Sequence, residues 1–203
     1  MKIVEFTGPP CAGKSYYLRH RKTDASDFPV YGNPYSKVKS RFLLQKVYFF
    51  IIGVFSLDAR SILKLYSHIG ENETRFLHVL RVMFYVFLKL GRLKFLKKLD
   101  LSSKIYIDEG VSHIPFNLLC NDSLYINELF NKIKEDISDI EVVLVNEDRE
   151  LVSQRLLERG HKRVNSSNLD WFLNRNLDVV NTISEVYPEI FSEFNEYHKK
   201  YEV

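Results

Sequence analysis

Cysteine, proline and glycine are all scarce in this chain of 203 residues, with two, six and eight of each. Cys11 and Cys120 cannot build a disulfide framework, and they lack the spacing of a metal-binding cluster. A reducing, cytoplasmic setting is therefore expected. So little glycine and proline, beside 45% hydrophobic and 27% charged residues, excludes collagen-like, low-complexity and long disordered stretches. Long hydrophobic runs are missing too. The longest charge-free apolar run, residues 47–57, is too short to span a bilayer. Met1-Lys2 leads into a brief apolar segment that stops at Gly8-Pro9-Pro10, which is not a signal-peptide pattern. The length suits a single domain, 1–203, with room for an insertion.

Acidic residues are thin in one region. Residues 37–104 hold 14 Lys/Arg against 4 Asp/Glu, a net of +10, whereas the remainder carries a net of −7. A basic, apolar middle suits an anionic partner such as a membrane surface, giving peripheral contact, or a phosphorylated substrate. A solvated basic face on packed helices accounts for it equally well. The basic residues interleave with apolar ones, so no nucleic-acid partner is expected. The hydrophobic helices at 42–96 could equally form a homodimer interface.

Four segments read as strands: residues 2–7 (KIVEFT), 28–31, 104–107 (KIYI) and 141–145 (EVVLV). Helical spacing covers 15–20, 42–55, 62–69, 74–96, 126–137, 151–159, 168–180 and 183–199. In 74–96, Leu77, Leu80, Phe84, Phe87, Leu88 and Phe95 share one side; Arg75, His78, Arg81, Lys89 and Arg92 share the other. That broad apolar arc fits a buried helix rather than one lying in a membrane. Strands alternating with helices imply crossover units and a parallel sheet with helices on both faces.

Between the first strand and the first helix, Gly8-Pro9-Pro10-Cys11-Ala12-Gly13-Lys14-Ser15 matches G-x-x-x-x-G-K-[ST] completely. Glycines let such a loop curl so that backbone N–H groups point inward at phosphate oxygens, and the next helix adds its positive end. Lys14 would reach the β- and γ-phosphates of a nucleoside triphosphate, ATP being the expected one, and the Ser15 hydroxyl would ligate Mg²⁺. Tyr16 completes the expected binding stretch. Cys11 reads as a tolerated loop residue, or as a redox-sensitive thiol beside the phosphates.

A phosphate loop needs a carboxylate at the end of a neighbouring strand to hold Mg²⁺. Asp108, directly after KIYI, is the best placed, and Glu109 beside it could serve as general base or support the metal. Asp24 and Asp27 are rival bases. Further on, Arg155, Arg159 and Arg163 recur at spacings of four, as arginines on a closing lid over about 155–168 would. Arg175 is a further phosphate candidate.

Together, Gly8–Ser15, Lys104–Gly110 and Glu141–Arg163, the last containing RLLERGHKR at 155–163, resemble the P-loop nucleoside and nucleotide monophosphate kinases, thymidylate kinases most nearly. The matching pieces cover about a fifth of the chain. The resemblance implies a three-layer α/β sandwich with a five-stranded parallel sheet, a helical acceptor-binding insertion at about 38–100 and a mobile lid. Asp-Glu-Gly after a strand also resembles small P-loop kinases of cell-surface polysaccharide clusters, whose acceptors are sugars or glycans. The chain departs from thymidylate kinases in lacking an acid within 28–40 and an Asp-Arg pair within 70–100. The expected activity is transfer of the γ-phosphate of Mg-ATP to a nucleoside, a nucleotide or a sugar or glycan hydroxyl. The alternatives are a nucleotide-binding switch without an acceptor and a sulfotransferase-like protein that needs no Mg²⁺.

Overall fold

The structure, a computed structural model, describes residues 2–16, 28–30, 41–72, 76–98, 104–120, 122–133, 137, 139–160 and 164–186. Four strands, β1 (Lys2–Thr7), β2 (Phe28–Val30), β3 (Lys104–Asp108) and β4 (Ile140–Leu144), form one sheet in the order β2-β3-β1-β4. All three pairings are parallel, with Ile3 opposite both Ile105 and Ile140. Alternation along the strands divides the core into two layers. Ile3, Ile105, Ile107, Val142 and Leu144 enter the larger cluster on one face. Val4, Phe6, Tyr106, Val143 and Val145 enter a smaller one on the other. Strands buried on both faces read as continuous apolar runs, which is why KIYI and EVVLV were visible in the sequence.

Three helices lie between β2 and β3: α1 (Arg41–Val54), α2 (Ala59–Asn72) and α3 (Phe76–Lys97). After β3 come a 3₁₀ turn (Val111–His113), the short α4 (Ile114–Leu118) and α5 (Ser123–Lys132). After β4 come α6 (Arg149–Glu158) and α7 (Leu169–Val186). Asp122 caps α5 by accepting from the N–H groups of Leu124 and Tyr125, and Asp148 caps α6 through Glu150 and Leu151. Val152 and Leu156 of α6, with Phe172 and Leu173 of α7, close the smaller layer. Val179, Val180 and Ile183, later in α7, join the larger one.

The expected five-stranded sheet is corrected by this topology. The four strands read from the residues are the four present; the fifth was implied only by the family resemblance. Among the described residues, everything after β4 is helix, turn or loop, so no further strand follows it. Residues 17–20 and 187–199, read as helical from their sequence, lie outside the described residues.

The reading of 74–96 also changes. Phe87 and Leu88 are buried, but Leu77 and Leu80 are 79% and 44% exposed, and the buried end of Lys89 comes from the supposedly polar side. The cause is the pairing of α3 with α1. Gly53 backs onto the Phe87 carbonyl and Gly91 onto the Phe49 carbonyl, so two antiparallel helices touch backbone to backbone. Contact that close orients α3 by its glycine rather than by its widest apolar arc.

A Cβ at either glycine would overlap the facing carbonyl. Gly91→Val is therefore expected to lower stability by about 2–3 kcal/mol, measured as a shift in the urea midpoint. A variant as stable as the parent would contradict the close hairpin.

Candidate functional site

The chain leaves β1 toward β2 on one side, and later crosses from β3 to β4 on the other. Loops diverge at the carboxyl ends of β1 and β3, where open parallel sheets form ligand crevices. The loop at 8–15 lies there. Gly8, Cys11 and Gly13 have φ of 135°, 64° and 91°, so left-handed residues recur along it and curl the backbone into a concave turn. Gly8 is needed twice over, because a side chain there would also strike the Val145 carbonyl. Val145 N–H donates to Thr7 O at 2.7 Å, which ties the loop's start to the end of β4. Ala12 N–H donates to Pro9 O at 3.3 Å inside the loop. Residues 14–16 are helical, so Lys14 and Ser15 sit at a helix start and Tyr16 points outward, 62% exposed.

The Lys14 ammonium is buried, donating to Gly8 O at 3.0 Å and Pro9 O at 2.7 Å. It also lies 3.4 Å from Glu109 Oε1. The Ser15 hydroxyl donates to Asp108 Oδ2 at 2.7 Å. Asp108 Oδ1 is buried without a hydrogen-bond partner. Burial raises the Asp108 carboxyl above its ordinary value, and the Ser15 bond only partly offsets this. An orphaned carboxylate oxygen beside a hydroxyl is a donor set suited to a hard divalent cation. Among the described residues, no group of three or more His, Cys, Asp and Glu is arranged to hold a metal. A cation here would take Ser15 and Asp108 and complete its shell with phosphate and water.

Glu109 behaves oppositely. His113 Nε2 lies 3.6 Å from its Oε1, and chiefly this imidazole, with Lys14 and Lys89, holds the carboxyl down to about 2. In this arrangement Glu109 is a counter-ion and a weak proton acceptor. His113 Nδ1 is 3.4 Å from Thr7 Oγ1, a buried hydroxyl at the end of β1.

Two of the three arginines expected to serve as a lid lie over the loop. Arg155 donates to Cys11 O and to Glu147 Oε2, both at 3.3 Å, and Arg159 Nη1 lies 3.9 Å from Cys11 Sγ. Both cysteines are free thiols. Arg163, Asp24 and Asp27 lie outside the described residues. Arg175 donates to Leu119 O at 3.1 Å, closing the end of α4 rather than joining the loop.

Three contributors escaped the sequence reading. Glu5, 1% exposed in the middle of β1, accepts from Val111 N at 3.1 Å and Ser112 N at 2.9 Å. It thereby fixes the turn that carries Glu109 and His113. A lone acid between Val4 and Phe6 in a buried strand was the available signal. His113 had no motif around it. Lys89 looked like surface charge, yet α3 packs on the 3₁₀ turn and its ammonium is buried with no hydrogen-bond partner. Burial pulls Lys89 down to about 8, against the pull of Glu109 and Glu5.

Compared with protein-family models, curated proteins and solved structures, the chain matches none. The resemblance to monophosphate kinases therefore rests on the sequence motifs alone.

Lys89 makes a testable contribution to stability. Its folded pKa of about 8 lies below the ordinary 10.5, so between these values the unfolded chain binds the extra proton and stability rises with pH. Below pH 8 both states are protonated and the buried charge destabilises the fold by a constant amount. Lys89→Met should stabilise the protein at neutral pH by about 1–2 kcal/mol and abolish the alkaline rise, followed by urea denaturation across pH. A less stable variant that keeps the rise would refute the assignment.

Proposed function

We propose that the chain is an ATP-dependent phosphotransferase that moves the γ-phosphate of Mg-ATP to a hydroxyl of a small acceptor, a nucleoside, nucleotide or sugar. The observation that supports this best is the juxtaposition of Ser15 and Asp108, with an unpartnered Asp108 oxygen, beside a complete phosphate-loop motif. A nucleotide carrier would need the loop; the acidic strand end beside it adds the metal site that phosphoryl transfer needs.

In this reading the loop N–H groups bind the phosphate chain, and Ser15 and Asp108 hold Mg²⁺, which supplies charge neutralisation at the transferring group. Lys14 exchanges the Gly8 and Pro9 carbonyls for phosphate oxygens. Glu109 thereby loses one of its cations and becomes more basic. The acceptor oxygen attacks the γ-phosphorus, the bond to the β–γ bridging oxygen breaks, and ADP departs with that electron pair. The hydroxyl proton passes to a carboxylate; Glu109 is the candidate among the described residues. Arg155 and Arg159 stabilise charge on the loop side, and Lys89 raises the positive potential behind Glu109. The free thiols suit a reducing compartment, and we take the cytoplasm as the site of action.

A screen of nucleosides, nucleotides and sugars with γ-labelled ATP tests the reading. One acceptor class should take the label, and Lys14→Ala should lower turnover by roughly a hundredfold or more with its thermal melt unchanged. Full turnover in Lys14→Ala, or transfer that proceeds equally without Mg²⁺, would overturn it.

A further inference from the structure

Lys89 places a positive charge where it costs stability. The residue is partly exposed, yet its ammonium is turned inward from α3, buried and without a hydrogen-bond partner. Such a group gives up its hydration and donates nothing in return. The charges near enough to act on it are two acids, Glu109 and Glu5, and two cations, Lys14 and Arg92. Both acids are engaged elsewhere. Glu5 accepts from the N–H groups of Val111 and Ser112, and Glu109 lies 3.4 Å from Lys14 Nζ and 3.6 Å from His113 Nε2. A counter-ion would donate to the acid it balances, and Lys89 donates to neither.

The surroundings say what is missing. α3 packs on the 3₁₀ turn that follows Glu109 and Gly110, so the ammonium belongs to the same site as the candidate base. The Glu109 side chain is 46% exposed, which leaves the space beside it open to a ligand.

We propose that Lys89 is the docking point for an acidic group of the acceptor, a carboxylate or phosphate carried near the hydroxyl that takes the γ-phosphate. An anionic oxygen within reach supplies the absent partner, and a charge-assisted bond in a desolvated site is strong. Lysine binds as a point charge, so one such oxygen is enough. Side chains retained at the expense of stability are characteristic of functional sites. The acceptor's identity rests on the phosphotransferase reading, whereas the anion site can be measured apart from transfer.

Calorimetric titration of inorganic phosphate, and in a second arm acetate, into the full chain saturated with Mg²⁺ and a non-hydrolysable ATP analogue tests it. The analogue fills the γ-phosphate position, so an anion bound then lies elsewhere. One phosphate or one acetate should bind per chain, and the tighter of the two names the acid that the acceptor carries. Lys89→Met should weaken this binding by roughly tenfold or more, a loss larger than any change in its affinity for the analogue. Lys89→Arg should retain most of it. Lys89→Met should also melt above the parent at neutral pH, which separates a lost contact from a damaged fold. Binding of neither anion to the parent, or undiminished binding to Lys89→Met, would overturn the proposal. Label passing from ATP to a neutral nucleoside or sugar as readily as to an acidic one would do so too. Failure of the analogue itself to bind would instead contradict the phosphotransferase reading. Phosphate titrated into the free chain then decides, and binding lost in Lys14→Ala but kept in Lys89→Met would overturn the site at Lys89.

Discussion

A carboxylate buried inside the sheet governs the arrangement around the loop at residues 8–15. Glu5 sits in β1, the strand that pairs with both β3 and β4, and it accepts from two successive N–H groups of the turn after β3. Burying an ionised carboxylate is costly unless hydrogen bonds and nearby charge stabilise it. Here the two N–H groups at the start of a 3₁₀ turn do so, with Lys89 near enough to feel its charge. Gly110 follows from the same constraint, since a Cβ there would overlap the Glu5 carboxylate. Glu109, with φ of 57°, makes the left-handed step that brings the turn back over β1, and its N–H bonds Phe6 O at 3.0 Å. Asp108, Glu109 and His113 are thus held against the loop by an acid buried in β1.

What results is a site whose two adjacent carboxyls are driven in opposite directions. Asp108 is desolvated and raised, while Glu109 is surrounded by cations and lowered. Neighbouring acids with divergent environments are suited to different tasks, one to a metal ion and the other to charge balance and proton movement. Lys14 connects them to the loop, because its ammonium is shared between loop carbonyls and Glu109. Binding an anion at Lys14 must change the electrostatics of Glu109.

The loop and the four strands were legible because each is a local pattern: a spaced motif after a strand, and short apolar runs bounded by turns. Asp108 was legible because it ends one of those runs. Glu5 and His113 were not, since their roles depend on the register of β1 against β3 and on a turn without sequence signature. Lys89 was misread because helical periodicity gives the width of an apolar arc but not which part of it faces inward. Gly53 and Gly91 decide that by letting the helix backbones meet. The fifth strand failed for a different reason. It came from resemblance rather than from any run of residues, and after β4 the described chain turns to helices.

The central claim is that residues 8–15 and Asp108 form one Mg²⁺-dependent triphosphate site, and calorimetric titration of the full chain with ATP tests it most directly. One ATP should bind per chain in the presence of Mg²⁺, and its affinity should fall by roughly tenfold or more when Mg²⁺ is withheld or Ser15 is replaced by Ala. Absence of ATP binding, or binding indifferent to both Mg²⁺ and Ser15, would contradict the account.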